Sequence, residues 1–378
     1  MPPARYWDRQ PVDFIELTID DAHQAFMTRS ISCEQLTRRY IKRIETYDQP
    51  TQLNAIIHIN PNALQRARQL DEQFGVTGRM QRLHCMPVIL KDNFDTADMP
   101  TEAGAIALRG ANPPDDAFMV RRLREAGAIV IAKSNMAEWA FSPYETVSST
   151  HGETRNAYDL SRVPAGSSGG TASAIAANFG IIGLGSDTGN SIRGPASHLD
   201  LVGLRSTIGA TSRDGIVPLL LNRDVGGPLM RNVTDTAIVF SVIAGVDPAD
   251  PATAAAVGRV QDDYTVYLKE DGLQGARLGV LRALVDSGDA DFEVMATMDR
   301  AIDELKAAGA VIVDPFEIPD FDRLRNATGF CSRFRYDLKN YLASRGASAP
   351  VQSLDDVVAT EQFLPRNAQA MQWAMSED

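Results

Sequence analysis

The sequence predicts an α/β fold in which helices cover both faces of a sheet. Two segments carry this prediction, at residues 121–135 and 302–316, because each reads as an amphipathic helix, a glycine and a short apolar strand. A glycine suits the left-handed residue that ends a helix before such a connection. Helices that alternate with apolar strands are typical of sheets buried on both faces. Nothing else recurs at this spacing, so we do not interpret the two segments as a tandem repeat.

Three helices are predicted to precede the first strand. The motifs TIDD at 18–21 and SCEQ at 32–35 each fit a capping box, in which the first and fourth residues cap a helix N-terminus. The third helix is predicted near residues 61–74 and to begin at Pro61, because proline suits a first helical turn. The segment MPVILK at 86–91 is then predicted as a short buried strand.

The bulk composition excludes some classes of partner. The chain has 378 residues and a formal net charge of -12. An acidic surface argues against nucleic acid or an anionic membrane as the main partner. No uninterrupted apolar stretch reaches membrane-spanning length. The sequence therefore predicts a small-molecule ligand, and it leaves the formation of a homo-oligomer open.

The cysteines and histidines suggest neither a disulfide framework nor a metal site. Cys33, Cys85 and Cys331 are scattered, odd in number and form no CxxC pair. Cys85 beside the strand is expected to serve packing, and the five histidines have no metal-ligand spacing. The first ten residues lack the pattern of a signal peptide. These observations predict a cytoplasmic protein without a metal or a cofactor.

The stretch GSSGGTASAIAANFGIIGLGSDTGNSIRGP, at 166–195, invites three interpretations. A phosphate-binding loop is disfavoured, because both GxxxxGK[ST] and GxGxxG after a strand are absent. A nucleophile elbow fits the G-x-S-x-G pattern, with Ser168 as nucleophile. That fold requires an acid and then a histidine near the C-terminal end of the sheet. The only later histidine is His198, which disfavours this interpretation too.

The third interpretation uses two serines and a lysine. Ser167 and Ser191 are separated by a predicted helix, TASAIAANF, and a predicted strand, IIGLGS. A helix that runs out and a strand that runs back can return the chain to the loop that it left. Both serines can then meet at one sheet edge, with Lys91 at the end of the apolar strand as the base. A serine hydroxyl needs such a base to become a useful nucleophile.

Several ordered motifs closely resemble the amidase signature family. They are PVILKDN, GSSGG, GSDTGNSIRGPA and GLRST, and the likeness extends from about residue 15 to 245 and less securely to 360. The resemblance implies a large mixed sheet covered by helices on both faces, in a single domain over residues 1–378. The N-terminal helical part would span about 13–75 and the signature core about 80–245. Family chains usually continue further, so a C-terminal portion is expected to be missing here.

The resemblance implies a catalytic triad of Lys91, Ser167 and Ser191, with Ser167 in a cis peptide. Ser191 would attack an amide carbonyl and form an acyl-enzyme, while Ser167 relays the proton to Lys91. A lysine acts as a base only when neutral, and full burial lowers a lysine pKa by up to ~3–5 units. Asp92 need not oppose this shift, because adjacent strand residues point to opposite faces.

Further residues have implied roles around the nucleophile. By family analogy, backbone N–H groups form an oxyanion hole at Thr188, Gly189, Asn190 and Ser191. The loss of one such donor typically costs ~10²–10³ in rate. Phe141 is expected to line the substrate pocket. Ser168 is expected to support the loop through hydrogen bonds, and Asp187 and Arg193 to pair beside it.

The sequence departs from the family pattern at two positions near the serines. Ala165 stands where the family usually has a glycine, which restricts the turn. Asn190 replaces the usual glycine before the nucleophile, although asparagine tolerates unusual backbone angles and its amide can contact substrate. Gly166, Gly169 and Gly170 are expected to permit a strained turn around the first serine.

The leading function from sequence is the hydrolysis of a carboxylic amide without a metal or a cofactor. Esters and carbamates present a similar carbonyl, so aryl esterase and urethanase activity stay open. A rival of another class is the amidase component of a glutamine-dependent tRNA amidotransferase complex, which carries the same triad. A catalytically silent scaffold is disfavoured by the intact triad.

Overall fold

The computed structural model describes residues 13–286, 288, 290–327 and 333–376. It divides the chain into two compact units, one of Met1–Asp263 with Ser332–Asp378 and one of Tyr264–Cys331. The sequence predicts a single domain and does not anticipate this division. The two segments that combine a helix, a glycine and a strand fall into different units.

The first unit contains most of the helices, and the second contributes α8 and α9. The α-helices are α1 (Ile19–Met27), α2 (Cys33–Tyr47), α3 (Ala63–Thr77), α4 (Phe118–Glu125), α5 (Gly169–Ala176), α6 (Arg193–His198), α7 (Val233–Ile243), α8 (Phe292–Ala307), α9 (Phe321–Asn326), α10 (Phe334–Ser344), α11 (Leu354–Ala359) and α12 (Ala368–Ser376). Within the described ranges, no helix combines the length and the apolar character needed to cross a bilayer.

Most of the strands lie in the first unit, and the last two lie in the second. They are β1 (Ile56–Ile59), β2 (Pro87–Lys91), β3 (Ile129–Ser134), β4 (Val147–Ser148), β5 (Gly152–Glu153), β6 (Ile182–Asp187), β7 (Val202–Gly203), β8 (Val225–Met230), β9 (Arg277–Gly279) and β10 (Val311–Val313). The described residues form a six-stranded sheet of order β1-β3-β2-β6-β8-β7. In the second unit, β9 and β10 pair in parallel.

The centre of the six-stranded sheet is parallel and its edges are antiparallel. β2 pairs in parallel with both β3 and β6, whereas β1, β8 and β7 join in antiparallel pairs. Every residue of β2, β3 and β6 is buried, as strands covered on both faces require. Helix α5 packs against β2, β6 and β8, and α7 packs against β8. The predicted α/β fold with a large mixed sheet is confirmed.

The local sequence signals agree with several of the observed elements, but the prediction of three helices before the first strand is wrong, because β1 lies between α2 and α3. Both predicted capping boxes are present, before α1 and before α2. The third helix begins slightly later than predicted, because α3 starts at Ala63, after Asn62 as its N-cap, and not at Pro61. Gly127, between α4 and β3, has φ 89°, as a helix followed directly by a strand requires.

The cysteine prediction is wrong at one pair. Cys33, at the start of α2, and Cys85, just before β2, form a disulfide with their Cα atoms 5.4 Å apart. The pair lies 52 residues apart in sequence, so no local spacing reveals it. Disulfides persist in oxidising compartments, which removes the argument from cysteine for a reducing one. Cys331 and the first twelve residues, where no signal peptide is predicted, lie outside the described residues.

The helices near the C-terminal end pack against the loops that follow the central strands. Buried side chains of this contact include Leu108, Met136, Trp139, Phe334, Leu338, Leu342 and Met371. A polar contact joins the same parts of the chain, because Glu138 Oε2 accepts the Leu364 N–H at 2.8 Å and the Asn367 side-chain amide at 2.6 Å. Residues 138–146 are thereby held in place beside the serine-rich turn.

Candidate active site

Lys91 is the last residue of β2 and is completely buried. Its Nζ lies 2.7 Å from Ser167 Oγ, 2.8 Å from Ser186 Oγ and 3.3 Å from the Ser186 carbonyl oxygen. Asn93 Nδ2 also donates to Ser186 Oγ, at 2.9 Å. The lysine amine therefore contacts three oxygen atoms, and one of them is the hydroxyl of the first predicted serine.

Burial lowers the pKa of Lys91 to about 7, although Asp187 and Asp224 act in the opposite direction. Asp92 does not contact Lys91. Its carboxylate lies 3.7 Å from Lys133 Nζ and accepts backbone N–H groups from residues 102 and 104. The expectation that Asp92 points away from the lysine is confirmed.

The turn that carries Ser167 is enclosed by backbone from two other segments. The Gly166–Ser167 peptide is cis, as the resemblance implies. A Cβ on Gly166 would lie 2.3 Å from the Glu145 carbonyl oxygen, and one on Gly170 would lie 2.1 Å from that of Asn135. The glycines therefore permit close approach of backbone, whereas the sequence predicts a strained turn. The residue with positive φ is instead Ala165, at 58°.

Gly170→Ala is expected to destabilise the protein by about 1–3 kcal/mol or more, because the new methyl group meets backbone that cannot rotate away. Urea unfolding followed by circular dichroism measures the change. Gly75→Ala is the matched control, because a Cβ at Gly75 in α3 meets nothing within 4 Å. It should stabilise the helix by about 0.5–1 kcal/mol. An unchanged midpoint for Gly170→Ala would contradict the close approach.

The loop of Ser191 returns to the turn of Ser167. Helix α5 leaves this turn, β6 runs back, and Ser191 follows β6 by four residues, just before α6. The Ser168 N–H donates to the Ser191 carbonyl oxygen at 3.2 Å, and Ser168 Oγ donates to the Ser186 carbonyl oxygen at 3.2 Å. Ser191 is 5% exposed. The predicted return of the chain is confirmed, and both serines belong to one loop cluster.

The predicted oxyanion-hole residues follow β6 directly. Thr188 Oγ1 donates to the buried carboxylate of Asp224, and the Asn190 side-chain amide donates to the Pro143 carbonyl oxygen at 3.2 Å. A Cβ on Gly189 would meet nothing within 4 Å, so packing does not require glycine there. These contacts hold the loop at Thr188 and at Asn190. That its backbone N–H groups bind a developing oxyanion stays a prediction.

Asp187 organises the start of this loop. It accepts the Ile192 N–H at 3.1 Å and pairs with Arg193 Nε at 3.1 Å, so the predicted pair is present. Burial raises its pKa, but the hydrogen bonds of Arg193 and Ile192 outweigh burial and leave it below the ordinary value. Arg205 contacts both the carbonyl oxygen of Asp187 and its Oδ1, the latter at 2.9 Å. The motif GLRST contains Arg205, but the sequence alone indicates no role for it.

Arg205→Ala is expected to lower kcat/KM by about 10²-fold, because the loop of the nucleophile loses its fixed position. Arg193→Ala should have a smaller effect. The Arg193 side chain is 50% exposed and that of Arg205 only 21%, and Arg205 also donates to the Arg223 carbonyl oxygen at 2.7 Å. Steady-state kinetics of the two variants measure the difference, and an equal or reversed order would refute it.

Thr146 and Phe141 belong to the segment beside the serine turn. Thr146 Oγ1 donates to the Ala165 carbonyl oxygen at 2.8 Å and accepts the Gly169 N–H at 3.1 Å, which the sequence did not reveal. Phe141 packs in the apolar contact with the C-terminal helices, 5.3 Å between ring centroids from Phe334. Its predicted role in lining a substrate pocket stays a prediction.

Comparison with known proteins identifies the relatives of this chain. The family model described as Amidase matches residues 35–372. A probable amidase of Arabidopsis thaliana is 33% identical over 372 residues, which cover 95% of this chain and 70% of the relative. A glutamyl-tRNA(Gln) amidotransferase subunit of Caldanaerobacter subterraneus subsp. tengcongensis is 36% identical over 333 residues, which cover 86% and 66%. The chain thus spans about two thirds of the length of these curated relatives.

Solved structures agree with the sequence relatives. The native peptide amidase of Stenotrophomonas maltophilia is 38% identical, with a TM-score of 0.87 over 97% of this chain and 76% of that one. An amidase family protein of Bacillus anthracis str. Ames is 32% identical, with a TM-score of 0.83 over 95% and 70%. From these matches and the family model, the resemblance inferred from the motifs is confirmed, and the chain belongs to the amidase family.

Proposed function

We infer that this chain hydrolyses a linear carboxylic amide through an acyl-enzyme on Ser191. The observation that carries the proposal is the fully buried Lys91 amine, 2.7 Å from the Ser167 hydroxyl oxygen. A neutral amine has one lone pair and two N–H groups. The lone pair can accept the proton of Ser167 while the N–H groups donate to the carbonyl and hydroxyl oxygens of Ser186. The three contacts are compatible with the neutral, basic form and equally with the ammonium that it becomes.

The proposed acylation begins with a proton transfer in two parts. Ser191 Oγ attacks the amide carbon and gives its proton to Ser167, whose own proton passes to Lys91. The resulting ammonium forms hydrogen bonds to the same three oxygens. Backbone N–H groups of residues 188–191 stabilise the negative oxygen of the tetrahedral intermediate. The nucleophile has then formed a C–O bond without an external base.

In the next step the proton travels back from Lys91 towards the substrate. The ammonium of Lys91 returns its proton through Ser167 to the leaving nitrogen, the C–N bond breaks, and ammonia or an amine departs. Water then attacks the ester of Ser191, and its proton follows the same path to Lys91. Collapse of this intermediate breaks the bond between Ser191 Oγ and the acyl carbon, the proton on Lys91 returns through Ser167 to Ser191 Oγ, and a carboxylic acid is released.

We propose a peptide-like amide as the substrate. The support is the likeness to the peptide amidase of Stenotrophomonas maltophilia, at 38% identity. The Asn190 side-chain amide donates to the Pro143 carbonyl oxygen and lies next to the nucleophile, so its remaining polar atoms can meet a substrate amide. Asn190→Gly should change the ranking of substrates, and an unchanged ranking would count against this contact.

A labelling experiment tests the proposed chemistry. A fluorophosphonate probe should modify Ser191 in the folded protein, and peptide mapping by mass spectrometry should locate the adduct. A panel of peptide amides, anilides, carbamates and aryl esters then ranks the substrates by kcat/KM, and ammonia release identifies primary amides. Absence of a label on Ser191 would sink the proposed acyl-enzyme. Faster turnover of carbamates or esters than of any amide would reassign the substrate class.

A second candidate is an amidase component that supplies ammonia to a partner acting on charged tRNA. It is supported by the identity of 36% with the glutamyl-tRNA(Gln) amidotransferase subunit of Caldanaerobacter subterraneus subsp. tengcongensis. Glutamine hydrolysis that needs co-purified partner chains would favour this candidate. Turnover of peptide amides by the isolated chain, without glutaminase activity, would favour the independent hydrolase.

A further inference from the structure

We propose that His58, Glu102 and His151 bind one divalent transition-metal ion, of which Zn²⁺ is the best match. One ligand atom from each of the three side chains lies within 4.8 Å of the other two. His151 Nε2 is 3.0 Å from Glu102 Oε2, and His58 Nε2 is 3.6 Å from Glu102 Oε1. The two imidazole rings meet edge to face, with centroids 5.4 Å apart. Two imidazoles and a carboxylate form a ligand set that Zn²⁺ commonly takes.

The three ligands come from segments far apart in sequence. His58 lies on β1, Glu102 follows β2, and His151 lies in the turn between β4 and β5. The pairing of β1 with β3 and of β3 with β2 brings the first two segments side by side. No ligand spacing exists along the chain, which explains why the sequence predicts no metal site.

The polar atoms of the cluster favour a cation at its centre. His58 Nε2 is shielded from solvent, and its contact with Glu102 Oε1, at 3.6 Å, is longer than an ordinary hydrogen bond. Leaving a buried polar atom unpaired costs free energy. Glu102 is 3% exposed on its side chain, and Oε1 accepts the Gly110 N–H at 2.8 Å, which orients the carboxylate. A metal ion would satisfy the unpaired nitrogen and the carboxylate together.

The geometry requires only small adjustments to close around an ion. Ligand atoms on a tetrahedral zinc ion lie about 3.3 Å apart, given bonds of about 2.0–2.1 Å. The two histidine contacts, 3.0 Å to Glu102 Oε2 and 3.6 Å to Oε1, lie on either side of this separation, and one ligand atom from each side chain lies within 4.8 Å of the others. The His58 and His151 side chains are 25% and 27% exposed, so an ion can enter and water can complete the coordination. His151 is held by a bond from its backbone N–H to Ser148 Oγ at 2.9 Å.

The proposed ion would stabilise the surroundings of the catalytic lysine. The Glu102 N–H donates to Asp92 Oδ1 at 3.2 Å, and Asp92 directly follows Lys91. The β4–β5 hairpin that carries His151 follows Thr146, which bonds the serine turn on both sides of Ser167. Binding therefore fastens three segments that converge on the site, and it should raise the Tm of the whole enzyme.

The test uses the full chain, freed of any affinity tag and stripped with a chelator. Titration with Co²⁺ should give saturable d–d absorption bands of a tetrahedral or five-coordinate site at one ion per chain. Zn²⁺ should displace the Co²⁺ and raise the Tm. No saturable binding of either ion at this stoichiometry would overturn the proposal, and this readout is independent of amide hydrolysis.

Variants and diffraction locate the ion. His58→Ala and Glu102→Gln should each weaken Zn²⁺ binding by more than the about 10–100-fold that the loss of an outer-shell partner costs. His198→Ala is the matched control, since this histidine is outside the cluster, and it should bind as the wild type does. Should the variants fail to fold, anomalous diffraction from a zinc-soaked wild-type crystal replaces them. A peak among the three side chains supports the site, and a peak only elsewhere overturns it.

Discussion

Ser191→Ala is expected to lower kcat by about 10⁶-fold, because a nucleophile that acts as a unit with its base cannot be replaced by the rest of the site. The side chain is only 5% exposed, and removing one hydroxyl from it leaves a small hydrogen-bonding deficit and little unfilled space. The contact of the Ser191 carbonyl oxygen with the Ser168 N–H uses backbone alone and survives the substitution. The variant should therefore keep its Tm within a few degrees.

Initial rates on a peptide amide, with circular dichroism for folding, measure this result. Ser168→Ala is the matched control, because it removes a neighbouring hydroxyl that donates to the Ser186 carbonyl oxygen at 3.2 Å. Its cost should be about 0.5–1.5 kcal/mol in stability, with fluorophosphonate labelling retained. If Ser191→Ala keeps substantial turnover and Ser168→Ala loses it, Ser168 is the nucleophile and the assignment of Ser191 is refuted.

Lys91→Met is expected to lower kcat/KM by about 10²–10⁴-fold, the usual contribution of a positioned base. The wild type should show a second signature. Because burial lowers the pKa of Lys91 to about 7, kcat/KM should rise with pH through about 7 and level off above it. Below this pH the ammonium has no lone pair for the Ser167 proton. The variant should lose this acidic limb, and Lys42→Met, at an exposed lysine of α2, should keep it.

The same lowered pKa predicts how the free energy of unfolding depends on pH, and the direction is opposite to that of a lysine in a salt bridge. Between pH 7 and the ordinary lysine pKa of 10.5, the unfolded state binds more protons at this residue than the folded state. The contribution of Lys91 to the free energy of unfolding therefore rises with pH, by at most about 1.4 kcal/mol per pH unit. Urea unfolding at several pH values should show a shallower rise for Lys91→Met. Equal slopes for variant and wild type would mean that the buried amine is not neutralised.

Local sequence patterns are sufficient for some of the elements and for the triad candidates. The capping boxes, the apolar β2 and the helix–strand return between the serines all depend on neighbouring residues, and each prediction is confirmed. Ser186 and Arg205 escape prediction because their contacts depend on sheet register and on a later loop. No pattern within a few residues shows that Ser186 Oγ and the Lys91 amine meet across two strands.

Long-range contacts also explain what the sequence does not reveal. The disulfide between Cys33 and Cys85 and the cluster around Glu102 join segments that only the folded sheet brings together. The sequence predicts that the glycines near Ser167 permit a strained turn. It does not reveal that a Cβ at Gly166 or Gly170 would collide with the backbone of residues 135, 142 and 145. The clustered glycines indicate that a side chain is not tolerated there, but the sequence does not reveal which neighbouring backbone excludes it.

The carboxylate of Glu138 constrains how the enzyme can be re-engineered by exchanging parts with its homologues. It accepts from residues 364 and 367, and its own loop leads into Thr146, which secures the turn of the proton-relay serine. A recombination crossover anywhere between these regions would unite a loop from one parent with a tail from another. Chimeras should therefore retain turnover only when the contacts of Glu138 with residues 364 and 367 and of Thr146 with the serine turn are all preserved. Crossover libraries should take the loop of residues 138–146 and the segment of residues 364–367 from the same parent.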